Sequence, residues 1–175
     1  MPDDKRKFAR DDIVIRPVRP EDIPGLNAIR TSQWVVRSIR ALPTETEAQT
    51  AKYFFEKGSK TAHPFVAVKK ADGQPMGYVC ICVSDCPRDW HKGELRMAVG
   101  QKFSGRGLGR LLVESAADFS LKFLGLKKLT LEVLIENERA VALYKATGFE
   151  AEGVLKQNYL VDGAYLDAYT MAKFL

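Results

Sequence analysis

Gly105, Gly107 and Gly109 fall at alternate positions in Ser104-Gly105-Arg106-Gly107-Leu108-Gly109-Arg110, just after the apolar run Met97-Ala98-Val99 and just before a stretch with helical spacing. Strand, glycine loop and helix start, in that order, suit a phosphate group. Glycine lacks the Cβ that would hold an anion away from backbone N–H groups, and the helix that follows aims its unpaired amides and positive dipole end at the same spot. Arg106 and Arg110 add two positive charges beside it. Further on, Asn137 stands as a cap before an apolar pattern of helical spacing that contains Ala140 and Tyr144 and stops at Gly148, a residue suited to a left-handed helix end.

Two other uses of a glycine loop fail on spacing. A dinucleotide-binding turn wants an acidic residue about 20 positions further on, where Glu132 stands, but Gly105-x-Gly107-x-Gly109 is not G-x-G-x-x-G. Too little chain follows to complete a doubly wound sheet. A P-loop is excluded because G-x-x-x-x-G-K-[ST] does not occur.

The elements that must position these residues are legible from periodicity and turn chemistry. Ile13 to Val18 reads as a strand, and Pro20-Glu21-Asp22 opens a helix reaching about Arg30. Thr44-Glu45-Thr46-Glu47 reads as a capping box with Thr44 as the cap of a helix running to about Glu56, with Trp34, Val35 and Val36 between the two helices. Phe65 to Lys69 and Met76 to Val83 read as strands around the turn Ala71-Asp72-Gly73-Gln74-Pro75. Glu114 to Gly125 continues the helix that follows the glycine loop. Lys127 to Leu134 is a strand, with Leu129, Leu131, Val133 and Ile135 at period two, and Asp162-Gly163 separates two terminal strands. There is no internal repeat, low-complexity tract or interdomain linker.

The glycine loop and the segment Asn137-Glu138-Arg139-Ala140-Val141-Ala142-Leu143-Tyr144-Lys145-Ala146-Thr147-Gly148-Phe149 together resemble the GNAT superfamily of N-acetyltransferases, which use acetyl-CoA. The first matches the family's Q/R-x-x-G-x-G/A loop and the second its Asn-x-x-Ala-x-x-Leu-Tyr-x-x-x-Gly-Phe helix. The resemblance runs from Ile13 to about Phe174 and is strongest from Glu94 to Gly153. The segment Gly163 to Ala172 is similar to the ending of a bacterial branch containing L-amino-acid and ribosomal-protein acetyltransferases. Ser104 departs from the pattern, standing where the family usually places Gln or Arg. The loss should be small, because backbone amides carry most of the pyrophosphate contact and Arg106 keeps a charge nearby.

The resemblance implies an α/β (α+β) fold: one domain at residues 12–175, after a disordered tail at 1–11. Its mixed sheet has six or seven strands flanked by about four helices, and the fourth strand (Gly93 to Gly100) splays from the fifth. The cofactor lies in that gap, the backbone of Met97, Ala98 and Val99 pairing with the pantetheine arm. Ser104, Gly105, Arg106, Gly107, Leu108, Gly109 and Arg110 then meet the pyrophosphate, with Asn137, Ala140 and Tyr144 completing the cofactor set.

By the same resemblance the reaction is direct attack of a neutral amine on the thioester of acetyl-CoA in a ternary complex. Tyr144 is the general acid for the departing thiolate, and the Val99 N–H is the candidate donor to the developing oxyanion. An ordinary phenol lies above a thiol by an amount worth about 2 kcal/mol. Glu94 is the candidate base or substrate-ammonium contact, directly or through a water. Trp34, Glu94 and Tyr159 are expected to line the acceptor pocket, with Asp167 a weaker candidate. The pocket is enclosed by Arg30 to Thr44 and Lys156 to Asp167, and Val35 and Tyr165 add to its apolar and aromatic character. A free amino acid or small amine is the leading acceptor. A peptide N-terminus, as in ribosomal-protein acetylation, or an amine antibiotic or herbicide would fit the same residues. A noncatalytic CoA-sensing module is the reading of a different class.

Composition agrees with one ordinary globular domain: 175 residues, 46% hydrophobic, net charge +5. The basic residues are spread and mixed with 22 acidic ones, so no nucleic-acid partner is expected, and CoA, a polyanion, accounts for a mild basic excess. No apolar run approaches the ~18 residues of a membrane span, and the charged start Met1-Pro2-Asp3-Asp4-Lys5-Arg6-Lys7 is not a secretory signal, so a cytoplasmic protein is expected. Cys80, Cys82 and Cys86 match neither a zinc ribbon nor a CxxC pair and suit core packing in a reducing compartment. His63 reads as a surface residue, and His91 beside Trp90 as a weak candidate for touching substrate; no metal site is expected. A homodimer through the terminal strands would suit the family.

Overall fold

The structure is a computed structural model and describes residues 8, 10–56 and 61–175. Most of the segment expected as a tail, residues 1–7 and 9, lies outside these. Phe8 donates its N–H to the Arg106 carbonyl (3.1 Å), and Arg10–Asp12 forms a 3₁₀ turn.

Among the described residues seven strands form one sheet: β1 (Ile13–Pro17), β2 (Ala62–Lys69), β3 (Pro75–Val83), β4 (Lys92–Val99), β5 (Lys128–Leu134), β6 (Glu150–Val161) and β7 (Ala164–Phe174). Their order is β1-β2-β3-β4-β5-β7-β6. Every neighbouring pair is antiparallel except β4 and β5, which are parallel. A parallel pair needs a crossover, and α4 (Leu108–Lys122) supplies it. The other helices are α1 (Ile23–Arg30), α2 (Gln33–Val36), α3 (Glu47–Phe55) and α5 (Glu138–Ala146). The short α2 is one helix more than the sequence suggests, because Trp34-Val35-Val36 forms a single turn with Val35 buried.

The sheet carries a core on each face. On one, Leu112, Val113, Ala116 and Ala117 of α4 and Val141 and Tyr144 of α5 pack on Val79, Ile81, Leu95, Leu129, Leu131 and Val133. On the other, Ile23, Leu26 and Ile29 of α1, Val35 and Phe54 pack on Val66, Val68, Tyr78 and Ala98. Past the irregularity in β2–β3 pairing beside Met76, period-two alternation therefore assigns odd positions of β3, β4 and β5 to the α4–α5 face and even positions to the α1–α3 face. Glu94, Arg96 and Glu132 are even.

The cap of α3 is Thr46, not Thr44. Thr46 is extended (φ −80°, ψ 163°), its Oγ1 accepts from the Gln49 N–H, and the Gln49 side chain accepts from the Thr46 N–H. The reason lies in Glu45, which turns inward to receive Arg30 Nε (2.6 Å) and Nη2 (2.9 Å) and the Thr50 hydroxyl (2.7 Å). A residue held by that buried cation cannot serve as the first turn of the helix, so the start moves two residues on.

Candidate active site

β4 and β5 are in register only from Lys92↔Lys128 to Glu94↔Thr130. Beyond Glu94 they part, and a cavity of about 810 Å³ opens through the sheet. Its wall includes Met97, Ala98 and Val99 of β4, Ser104, Gly105, Gly107, Gly109 and Arg110 of the loop, the cap Asn137 with Ala140 and Tyr144 of α5, and Trp34, Glu94 and Tyr159. Residues far apart in the chain thus share one wall. Because the Gly100 N–H donates to Met76 O (2.9 Å), ladder alternation turns the Ala98 amide toward β3 and those of Met97 and Val99 toward the gap.

Gly105 (φ 79°) and Gly107 (φ 88°) adopt left-handed backbone that L side chains resist. Gly107 is the N-cap of α4 and so supplies no capping side chain, and a Cβ there would meet nothing within 4 Å. The result is an open cradle before helix amides that lack intrahelical acceptors. At its rim, a Cβ on Gly105 would come 2.9 Å from Arg139 Nη2, so that guanidinium lies across the loop. Arg139 is not among the cofactor residues expected from sequence; its only local signal is that it follows the Asn137 cap by two residues, in the first turn of α5. This polar, cationic, backbone-lined hollow fits a pyrophosphate.

Two loop residues are not in the cavity wall. The Arg106 guanidinium lies over the Phe8 ring, 3.7 Å from its centroid, because that aromatic face is the near surface on the outer side of the loop. It is therefore not the substitute charge expected for Ser104; Arg110 and Arg139 hold the cavity side. Leu108 is 1% exposed, its side chain packed in the core.

Asn137 caps α5, Oδ1 accepting from the Ala140 N–H (3.2 Å). Tyr144 is buried, its ring edge-on to Phe149 at 5.8 Å, and among the described residues its hydroxyl has no hydrogen-bond partner. Burial pushes its pKa well above that of an ordinary phenol.

Ion pairs that the sequence did not reveal frame the wall around Glu94 and Tyr159. Arg96 grips both oxygens of Glu94 (2.8 and 2.7 Å), two residues away on the same face of β4. Arg40, from the loop after α2, donates to Glu132 Oε2 (2.5 Å) and lies over the Tyr159 ring at 4.7 Å, and Asn158 donates to the same Glu132 oxygen (2.8 Å). Burial raises the Tyr159 pKa against the opposing pull of Arg40, with Glu132 and Glu94 acting in the same direction as burial. Deeper in, Arg30 stacks on Tyr53 (3.9 Å) and donates to the Tyr78 hydroxyl (2.9 Å), whose pKa burial pushes up to about 12. Arg37 pairs with Asp162, linking this wall to the β6–β7 turn.

Other candidates lie elsewhere. Asp167 accepts from Lys156 Nζ (2.7 Å) and the Gln157 N–H (2.9 Å) and braces the irregular stretch of β6. Tyr165 is exposed and outside the cavity wall. His91 is exposed and offers its carbonyl to the amides of Lys127 and Lys128, away from the cavity. His63 is half-buried against Phe119 (5.6 Å), not a free surface residue, and burial lowers its pKa. Cys80 is buried and Cys82 half-buried, their sulfurs 3.7 Å apart, whereas Cys86 is exposed, so packing accounts for the first two alone. Among the described residues no group of three or more His, Cys, Asp or Glu is placed to hold a metal ion, and no helix is long and apolar enough to cross a membrane.

The family model of the acetyltransferase (GNAT) family matches residues 26–149, and the chain belongs to that family. It is 32% identical over 102 residues to the L-amino acid N-acetyltransferase AaaT of Escherichia coli (58% of this chain, 63% of that protein). It is 25% identical over 162 residues to the spermidine N(1)-acetyltransferase of Escherichia coli (93% and 86%), and 38% identical over 77 residues to the N-alpha-acetyltransferase RimI of Mycobacterium tuberculosis (44% and 45%). The match to AaaT thus spans less than two thirds of that relative. The fold is that of spermidine N-acetyltransferase from Vibrio cholerae, a structure solved in complex with CoA and spermine (TM-score 0.84, 22% identity, 94% and 96% covered).

Proposed function

We propose that this chain is an acetyl-CoA-dependent N-acetyltransferase that acylates a primary amine, with a free amino acid or small amine as acceptor. One observation carries the reading: a single cavity through the splayed sheet joins the open glycine cradle, the β4 amide edge, the Tyr144 side chain and the ion-paired acceptor wall. The cradle and the first amides of α4 hold the pyrophosphate, with Arg110 and Arg139 beside them. Met97 and Val99 present N–H groups to the pantetheine arm, and the Val99 N–H stabilises negative charge developing on the carbonyl oxygen. The thioester supplies an acyl carbon open to attack and a thiolate leaving group.

Glu94, at the mouth of the splay, takes the proton from the acceptor ammonium directly or through a water. Tyr144, kept protonated by burial, donates its proton to the departing sulfur. The same burial penalises the thiolate, so the proton gap widens by less than the phenol's own shift. A cytoplasmic location and a homodimer joined through the terminal strands belong to the same proposal.

Release of free CoA thiol from acetyl-CoA tests the reading, with L-amino acids, polyamines, amine antibiotics and N-terminal peptides as acceptors and calorimetric acetyl-CoA binding in parallel. Acceptor-dependent release is expected. Tight binding without turnover by any amine would point to a CoA sensor, and absence of binding would overturn the assignment of the cradle.

A further inference from the structure

Resting on that function, we propose that the acceptor is zwitterionic, its carboxylate held by Arg96 and Arg40 and its ammonium by Glu94, and that the same wall rejects polyamines. Two carboxylates of this wall are already committed to arginines, Glu94 to Arg96 and Glu132 to Arg40, while Glu136, exposed beside the Asn137 cap, borders the same cavity. Both pairs lie on the α1–α3 face and border one cavity, whose wall also holds Tyr159, its ring underlying Arg40.

A polycation that set an ammonium on Glu94 and another on Glu132 would displace both arginines from their partners, leaving guanidinium groups facing added positive charge in a partly desolvated site. A zwitterion exchanges partners without changing the sum. Its ammonium replaces a guanidinium at Glu94, and its carboxylate takes the N–H groups released. Arg96 is well suited to receive that carboxylate. It is half-buried on a strand, and Nε and Nη2 are spent on Glu94 while Nη1 has no partner among the described residues. The planar fork of arginine favours a carboxylate over a neutral group. Trp34 and Val35 line the same cavity and offer apolar surface to a side chain.

The test compares kcat/KM for a series of L-amino acids, the matching amino acid amides, the matching amines without a carboxylate, and spermidine. Wild type is expected to favour the acids over amides and plain amines by about 10- to 100-fold, the size of one charge-assisted contact, and to turn spermidine over most slowly. Arg40→Gln and Arg96→Gln should each shrink the acid-to-amide ratio toward one, mainly through KM. A purely structural role would lower both substrates together and leave the ratio intact. Equal or better use of amides or of spermidine by wild type, or an unchanged ratio in both variants, overturns the proposal while leaving the transferase reading in place; no acceptor-dependent thiol release with any amine would instead overturn that reading.

Discussion

Gly109 lies directly against Leu143: a Cβ added to the glycine would come 2.9 Å from Leu143 Cδ2. This contact sets the separation of α4, which carries the glycine cradle, from α5, which carries Asn137 and Tyr144. The loop and the phenol are therefore placed relative to each other by the lack of one methyl group. Gly109→Val should overpack the contact at about 1–3 kcal/mol, lowering the melting temperature by several degrees. Acceptor-dependent thiol release should fall further than acetyl-CoA affinity, because α5 must shift. An unchanged melt and rate would show that the helices tolerate the added bulk.

Tyr144→Phe removes the hydroxyl and keeps the ring packing on Phe149. With the true acceptor, kcat should drop by about 10²-fold or more, within the range of general acid catalysis, while calorimetric acetyl-CoA binding stays near wild type. If kcat is retained, the leaving thiolate gets its proton elsewhere.

Arg139→Ala takes away the guanidinium lying across Gly105. The dissociation constant for acetyl-CoA should rise about tenfold, and the loss should shrink at high salt, since the lost contact is charge-assisted and exposed. Arg106→Ala should change that constant little, because Arg106 faces Phe8 and not the cavity. The reverse ranking would place the phosphate on the outer side of the loop.

Glu45 carries the pH prediction. Burial opposes its charge, but hydrogen bonds from Arg30 and Thr50 more than offset this and hold its carboxyl below the usual range. Asp22 is held low in the same way, with burial outweighed by Arg16 and the Arg19 N–H. A carboxyl lowered in the folded state contributes stability that is present above its unfolded pKa of about 4 and is lost as pH falls through the folded value. Acid unfolding should therefore steepen below about pH 4, and Glu45→Gln should flatten that limb. At neutral pH Glu45→Ala should cost about 3 kcal/mol, because Arg30 is left buried without its partner. Urea melts at several pH values check both expectations.

Much of the glycine-loop side of the cavity was legible in the sequence, because its signals are local. Alternate glycines demand left-handed backbone at Gly105 and Gly107, Asn137 caps the helix it precedes, and Gly148 ends it at φ 89°. The alternation of β5 is equally local, with Leu129, Leu131 and Val133 all buried. The misplaced cap at Thr44 shows the limit: two overlapping Thr-x-x-Glu and Thr-x-x-Gln patterns compete, and a buried ion pair 15 residues back decides between them.

The ion-paired wall around Glu94 and Glu132 was not legible for a related reason. Glu132 seemed a distance marker behind a glycine loop until strand parity and the break in β4–β5 pairing set it facing Arg40, 92 residues away in sequence. Arg106, adjacent to the loop glycines, faces outward, while Arg139 reaches in from another helix. Backbone conformation and burial period are written in short windows of residue types, because sterics and the hydrophobic effect act on neighbours. Which charges meet is decided by the fold, since Coulomb pairing depends on distance in space and the chain alone carries no measure of it.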